Sequence, residues 1–162
     1  EFGGPSARDV VQILRDRAAS ARQASTNVAG FLDCLVFNTL VAAPDAHARN
    51  YAVLLSGDNV TFAPMYDVAT GLAYRPTAGR PRMVSMRVGG TYDADRITPD
   101  TWRQAADDLS VSPDEVLARV QAIGEAVPSA FARALDEVDD WDGSVTDVRA
   151  RLLPELDRRF VT

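Results

Sequence analysis

The sequence predicts a mainly α-helical fold with a small β-hairpin, and three observations support this fold class. Several stretches carry apolar residues at helical spacing and begin at Ser or Thr residues suited to N-capping. The densest of these stretches ends at Ala43-Pro44, because the residue before a proline is pushed out of helical geometry. Two short runs of β-branched and aromatic residues, 51–55 and 60–63, flank the turn sequence Ser56-Gly57-Asp58-Asn59, which is typical of a hairpin.

Two helices are predicted before the hairpin. The first has Ser6 as its N-cap and Asp9 in the position of a short capping box, and it extends to about residue 19. The second is capped by Thr26 or Asn27 and continues to the end of the dense apolar stretch. Because this second helix is apolar all round, we expect it to be central and mostly buried.

The middle of the chain is predicted to be irregular. Residues 64–81 hold three prolines and two glycines, so they are interpreted as a long loop with one helical turn near Val68–Leu72. Long loops of this kind are often functional. After it, Met83 to Val88 is predicted to be extended, and Gly89-Gly90 to form a turn.

The remainder of the chain, 98–162, is predicted to be helical. Thr98-Pro99 is a strong start signal, and Ser112 begins another helix through a capping box. Pro128 is expected to kink or split this helix, and Pro154 to interrupt the last one.

Composition limits the possible functions. The chain has 162 residues, 46% of them apolar, which suits one domain with a real core. A net charge of −6 argues against direct nucleic-acid binding, because phosphate neutralisation needs clustered basic residues and the arginines here are scattered. No apolar run approaches the ~20 residues of a membrane span, and no signal peptide is seen, so we expect a cytoplasmic protein. The lone Cys34 excludes an internal disulfide and is expected to be a packing residue.

A polar loop between the second helix and the hairpin suggests phosphoryl transfer. Asp45 and Asn50 are five residues apart, like the base Asp and the metal-binding Asn of the kinase loop H-R-D-x-x-x-x-N. Asp67 follows the hairpin, where a kinase has its second metal-binding Asp. An Asp/Asn pair alone is a weak signal, since both residues are common turn formers. The order helix, acidic loop, hairpin and Asp makes the pattern more specific.

The longer pattern resembles the HipA-like serine/threonine kinases of bacterial toxin–antitoxin systems. The matching segments are Gly3-Gly4-Pro5-Ser6, Phe37-Asn38, Asp45-x-His47-x-Arg49-Asn50, Ala63-Pro64-x-Tyr66-Asp67 and Met86-Arg87-Val88-Gly89-Gly90 with the following Trp102 helix. One departure is visible: the family usually has Asn two residues before the catalytic Asp, and here that residue is Ala43. We therefore expect this loop to be weaker or differently braced.

The resemblance implies a fold, namely the helical C-terminal lobe of a protein-kinase-like structure without its N-terminal lobe. In this interpretation 1–162 is a single domain. It consists of a catalytic loop 43–50, a hairpin 51–63, a metal-binding segment 64–71 and a helical remainder 98–162. The chain has neither a glycine-rich phosphate loop nor a lysine for the nucleotide phosphates, so we expect it to be inactive by itself.

The resemblance also implies roles for five residues, with ATP and Mg²⁺ as cofactors. Asp45 would be the base that orients and deprotonates the attacking hydroxyl. Asn50 and Asp67 would bind magnesium, and their oxygens should approach within about 6 Å so that they can share one ion. His47 would brace the loop or take a direct part in the transfer. Arg49 would reach a phosphate or pair with an acidic neighbour.

The implied activity is phosphorylation of a cytoplasmic protein target. An aminoacyl-tRNA synthetase is one such target, and a small DNA-binding antitoxin of the HipB type is the implied partner. An uncovered apolar surface near Phe37 and the Tyr51–Phe62 hairpin is expected to contact a partner or a second copy of the chain, which would give a homodimer.

Two alternatives stay open. The chain could be a non-catalytic binding module that engages an antitoxin or a separate N-terminal lobe. It could also be a lipid or small-molecule kinase, some of which carry a D-x-H-x-x-N loop. A non-catalytic module would be expected to lose at least one of Asp45, Asn50 and Asp67, so the presence of all three favours catalysis. The segment Arg87-Val88-Gly89-Gly90 favours a HipA-like kinase over a lipid or small-molecule kinase.

Overall fold

The computed structural model describes residues 4–76 and 80–160. The helices are α1 (Ala7–Asp16), α2 (Ala21–Leu40), α3 (Pro99–Leu109), α4 (Pro113–Asp136) and α5 (Ser144–Phe160). The strands are β1 (Val53–Ser56), β2 (Asn59–Phe62), β3 (Met83–Val88) and β4 (Thr91–Asp93), and short 3-10 turns span Ala48–Asn50 and Ala94–Arg96. Across the described ranges, β1 pairs with β2 and β3 with β4, each as a two-stranded antiparallel sheet.

The mainly helical fold class is confirmed, and the structure adds one hairpin to it. The extended piece predicted at residues 83–88 is β3, and the chain turns at Gly89-Gly90, where both glycines have positive φ. It then pairs back as β4, a strand of three residues that is too short to give a periodic signal in the sequence.

The predicted start of α2 is wrong, and the reason lies in Asn27. Ser20 caps the helix by accepting a hydrogen bond from the Gln23 N–H. Asn27 lies inside the helix, where its side chain is buried and binds β2. Its amide donates to the Val60 carbonyl at 2.7 Å and accepts from the Phe62 N–H at 2.9 Å. The residue therefore attaches the first hairpin to α2 rather than capping the helix.

Both interior prolines lie within continuous helices, which corrects the predicted split at Pro128 and the predicted interruption at Pro154. Pro128 lies within α4 and Pro154 within α5, and each helix continues past its proline. A proline removes one backbone hydrogen bond from a helix, but most helical stability in proteins comes from tertiary packing. Here the packing is provided next to the prolines, by Val127 in α4 and by Leu152 and Leu156 in α5, all of them buried.

The segment after the first hairpin also differs from its prediction. The helical turn expected near Val68–Leu72 is not formed; the chain bends there, and a turn follows in which the Tyr74 N–H donates to the Gly71 carbonyl at 3.2 Å. Residues 77–79 of the predicted loop 64–81, and Gly3 of the matching segment Gly3-Gly4-Pro5-Ser6, lie outside the described residues.

The buried apolar residues form two clusters. The first joins α1, α2, β3, α3 and the start of α4 around Phe31 and Trp102. The second joins α4 and α5 to the residues that follow α2 and includes Val41, Ala42 and Ala43. The polar loop of the candidate site therefore begins from a buried, well-packed segment of the chain.

Exposed large apolar side chains occur in β1 and in the segment 65–74 that follows the first hairpin. Val53, Leu54 and Leu55 of β1 are exposed, whereas Phe37 is half-buried and stacks on Phe131 with a centroid distance of 6.4 Å. The apolar surface expected near the hairpin is thus present, and the part expected at Phe37 is largely covered within the chain. Trp141, between α4 and α5, is 89% exposed, in contrast to Trp102 at 3%.

Two further expectations concern the interior and the membrane. Cys34 is buried and free, and burial raises the pKa of its thiol to about 11, as suits a packing residue.

Among the described helices, none combines the length and the apolar character that a membrane crossing requires.

Candidate active site

The loop between α2 and β1 folds into one compact turn. The backbone carbonyl of Asp45 accepts hydrogen bonds from the His47 N–H and from the Asn50 side-chain amide, both at 2.8 Å. The Asn50 N–H in turn donates to the His47 carbonyl at 2.9 Å. The structure therefore brings three of the predicted site residues together. Because the Asn50 amide nitrogen is used as the donor, its Oδ1, the atom a metal would need, is not engaged in this bond.

Asp45 presents its carboxylate to solvent. Its side chain is 77% exposed, and its only ion-pair contact within the described ranges is with His47, where Oδ1 and Nε2 are 3.7 Å apart. A general base has to reach the proton that it abstracts, directly or through one water. The exposed carboxylate meets this requirement for a substrate hydroxyl that approaches from solvent.

His47 is held by its backbone and by packing. Its Nδ1 is buried and has no hydrogen-bond partner in the part of the chain that the structure describes. Its Nε2 faces Asp45 at a distance longer than a hydrogen bond. The imidazole is therefore oriented with one nitrogen toward the protein interior and the other toward the predicted base.

Asp67 belongs to a segment that is attached to this loop through Tyr66. Its backbone has φ of 54°, a left-handed conformation that Asp tolerates better than most residues. The preceding Tyr66 donates its hydroxyl to the Arg49 carbonyl at 2.7 Å. Tyr66 itself is exposed. The Asp67 carboxylate and the Arg49 side chain are both exposed.

Three residues that sequence reasoning missed support the loop from outside. The Thr70 hydroxyl donates to the Val41 carbonyl at 2.8 Å, and the Gly71 N–H donates to the Ala42 carbonyl at 3.1 Å. Ser85 of β3 donates its hydroxyl to the carbonyl of Pro44. These contacts join residues that are far apart in the sequence, so no local sequence pattern predicts them. The one available signal was a glycine shortly after Asp67.

A partly buried polar pair, Asn38 and Tyr51, flanks the same loop. The Asn38 side-chain nitrogen Nδ2 donates to the Tyr51 hydroxyl at 3.1 Å, and the Asn38 backbone carbonyl accepts from the Ala43 N–H at 2.8 Å. Burial is the main cause that raises the pKa of Tyr51 to about 12, so this phenol stays protonated at neutral pH. Ala43 itself is buried, so the position where the family has Asn contributes packing here, and the bracing comes from other residues.

The donor set suits magnesium better than a transition metal. The described residues contain no group of three or more His, Cys, Asp and Glu side chains that could hold a metal ion. Mg²⁺ does not need such a group, because it usually takes one or two carboxylates and completes its shell with waters and phosphate oxygens. Asn50 Oδ1 and the Asp67 carboxylate fit this pattern, and their convergence within about 6 Å stays a prediction.

Comparison with known proteins identifies the family. Residues 1–131 match the family model described as "HipA-like C-terminal domain". The chain belongs to this family. A protein of Sinorhizobium fredii (strain NBRC 101917 / NGR234) named "Putative kinase Y4mE" is 32% identical to this HipA-like domain over 138 residues, which cover 85% of the chain and 31% of the relative.

A solved structure supports the fold of the HipA-like domain. The "Shewanella oneidensis MR-1 Toxin Antitoxin System HipA, HipB and its operator DNA complex" contains a chain that matches with a TM-score of 0.75 and 19% identity. The match covers 96% of the present chain and 36% of the chain in the complex. The present chain therefore spans about a third of the length of both relatives.

Proposed function

We propose that this HipA-like chain supplies the catalytic base and the metal ligands of an ATP- and magnesium-dependent serine/threonine protein kinase. The observation that carries this proposal is the turn in which Asn50 binds the backbone carbonyl of Asp45 while the Asp45 carboxylate remains exposed. Tyr66 supports the proposal further, because its bond to the Arg49 carbonyl brings the chain just before Asp67 against the same turn.

In this mechanism Asp45 orients the hydroxyl of the protein substrate and takes its proton. The hydroxyl oxygen bonds to the γ-phosphorus as the bond to ADP breaks. Asn50 and Asp67 would hold magnesium, which supplies charge neutralisation at the β- and γ-phosphates when it is bound. His47 would keep the Asp45 carboxylate oriented through its Nε2, and the exposed Arg49 side chain would be available to a phosphate oxygen.

Other parts of a complete protein are expected to take the remaining roles. The chain has no lysine and no glycine-rich phosphate loop, so it lacks the usual ligands of the α- and β-phosphates. Positioning and electrostatics are most of phosphoryl-transfer catalysis. We therefore expect the 162 residues alone to fold but to give almost no turnover with ATP, magnesium and a protein acceptor.

The proposed partners follow from the family. The Shewanella oneidensis complex contains HipA and HipB, which supports an antitoxin of the HipB type as a partner of the complete protein. A cytoplasmic protein, such as an aminoacyl-tRNA synthetase, is the proposed class of target. With a net charge of −6 the chain is not itself proposed to contact DNA.

The proposal is tested by Asp45→Asn in a complete protein that carries this chain. Phosphotransfer should fall by roughly 10²–10⁴-fold, the usual contribution of a general base, with nucleotide affinity almost unchanged. Asp58→Asn is a matched control, because Asp58 is an exposed residue of the β1–β2 turn. Retention of most of the rate in Asp45→Asn would show that Asp45 is not the base.

A second pair of variants tests the metal ligands. Asn50→Ala and Asp67→Asn should each raise the Mg²⁺ concentration needed for half-maximal rate, whereas Asp58→Asn should not. If the unmodified complete protein bound ATP but transferred no phosphate, the non-catalytic binding module would be the better description.

A further inference from the structure

The exposed carboxylate of Asp45 raises the question of what holds this residue in place. Among the described residues its side chain forms an ion-pair contact only with His47, at 3.7 Å, so its position depends mainly on the backbone of the loop. That backbone is strained at Ala42, where φ is 49° in a residue with a side chain. Such a conformation persists only where surrounding contacts fix it.

Thr70 and Gly71 provide these contacts. The Thr70 hydroxyl binds the Val41 carbonyl at 2.8 Å and also accepts from the Leu72 N–H at 3.1 Å. The Gly71 N–H binds the Ala42 carbonyl at 3.1 Å. The carbonyls of Val41 and Ala42, at the strained position, are therefore bound by the consecutive residues Thr70 and Gly71. We name this pair of contacts the Thr70–Gly71 clip.

The glycine is required by the close approach of the two backbones. A Cβ added to Gly71 would lie 2.6 Å from the Ala42 carbonyl oxygen, well inside contact distance. Because the obstructing atom belongs to the backbone, it cannot move aside like the end of a flexible side chain. Any side chain at this position would push the segment that carries Asp67 away from the loop that carries Asp45.

The clip also acts on Asp67, which is held from both sides. Tyr66, the residue before it, binds the Arg49 carbonyl through its hydroxyl. Thr70, shortly after it, binds the Val41 carbonyl. Asp67 lies between these two attachments to the same loop, in a left-handed conformation of its own.

We propose that Thr70 and Gly71 are positioning residues that set the placement of Asp67 relative to Asp45. This inference rests on the proposed function, since the two carboxylates have to act on one bound nucleotide. Neither Thr70 nor Gly71 touches the reacting atoms in this proposal. They act through the backbone carbonyls of the loop.

The test compares Thr70→Val, which removes the hydroxyl, with Thr70→Ser, which keeps it, in a complete protein that carries this chain. Thr61→Val is the matched control, because Thr61 is an exposed residue of β2. Thr70→Val should lower kcat and raise the half-maximal Mg²⁺ concentration, each by about two- to tenfold, the size of one hydrogen bond. Thr70→Ser should restore both values, and Thr61→Val should change neither.

Ser85→Ala separates positioning of Asp67 from general support of the loop. Ser85 binds the Pro44 carbonyl from β3, and this hydrogen bond involves neither Tyr66 nor Thr70, the two residues that attach the Asp67 segment to the loop. Its loss should lower kcat and leave the Mg²⁺ requirement unchanged. Tyr66→Phe removes the other attachment of Asp67 at an exposed residue and should raise the Mg²⁺ requirement. It serves as the second test if Thr70→Val does not fold.

The possible outcomes distinguish the inference from the proposed function. If Asp45→Asn abolishes transfer while Thr70→Val and Tyr66→Phe keep wild-type kcat and Mg²⁺ dependence, the positioning proposal is wrong and the proposed function stands. A lower melting temperature of Thr70→Val with unchanged kinetics below that temperature would likewise indicate a purely structural contact. If Asp45→Asn is fully active, both proposals fail.

Discussion

The two hairpins of this chain are similar in length and opposite in burial. Strand β3 alternates, with Val84, Met86 and Val88 buried and the residues between them more exposed. Strand β1 has the sequence Val-Leu-Leu-Ser, and all four of its residues are exposed. The β1–β2 hairpin is attached mainly through β2, where Phe62 packs edge-on against Phe31 of α2 at a centroid distance of 6.1 Å.

The difference shows that apolar character and burial are separate properties of a strand. In β3 the period of two matches a sheet with one face on the core. In β1 three consecutive apolar residues exceed what one buried face requires, and all three side chains stay exposed although the strand pairs with β2. Exposed apolar surface of this kind often marks an interaction site. The candidate site lies between the hairpins, since its loop leads into β1 and is held by Ser85 of β3.

The largest effect is expected for Met86→Ala in the buried strand. Met86 belongs to the first core cluster, and its removal should destabilise the chain by about 2–5 kcal/mol through lost burial and a cavity. Met83→Ala is the matched control on the same strand, because Met83 is exposed. Urea unfolding measures both variants. Equal losses of unfolding free energy would contradict the contrast between the faces of β3.

An intermediate effect is expected for Asn27→Ala, which detaches β2 from α2. The variant leaves the Val60 carbonyl and the Phe62 N–H without their side-chain partner. Its free energy of unfolding should therefore be lower by about 1–3 kcal/mol. Hydrogen exchange of the β1 and β2 amides should accelerate more than that of β3. Thr26→Ala, at the neighbouring exposed residue, is the control. Uniform acceleration in both hairpins would argue against a local role for Asn27.

The smallest effect is expected for Leu55→Ser at the tip of β1. Leu55 is 74% exposed, so the change in unfolding free energy should stay within about 0.5 kcal/mol, as for most surface substitutions. By contrast, Leu35 is buried, so Leu35→Ala should lower the free energy of unfolding by about 2–5 kcal/mol, measured by urea unfolding. A large loss for Leu55→Ser that grew with protein concentration would instead show that β1 is covered by a second copy of the chain.

Local signals predicted the parts of the fold that depend on local interactions. The Ser6–Asp9 capping box, the Thr98 cap and the spacing of Asp45 and Asn50 involve residues at most five positions apart, and the structure forms a turn or helix start at each. The start of α2 was misplaced because a side chain that resembles a cap, Asn27, binds a strand instead. Tertiary packing also overrode the helix-breaking tendency of the two interior prolines.

The support of the candidate site could not be predicted in the same way. Thr70 and Ser85 reach the loop across 29 and 41 positions of sequence. Thr and Ser are common surface residues, and their role here follows only from where the fold places their hydroxyl groups. The metal-binding role of Asp67 stays a prediction, because the motif specifies residue types and spacing but not the approach of two side chains.

The contrast between the two tryptophans makes the chain its own reporter of unfolding. Trp102 is enclosed in the first core cluster, so its fluorescence should shift toward the red when the core opens. Trp141 already contacts water in the folded chain and contributes a nearly constant background. Replacing Trp141 by phenylalanine would leave Trp102 as the single tryptophan of the chain. Intrinsic fluorescence of that variant could then follow the packing around α3 without any attached dye.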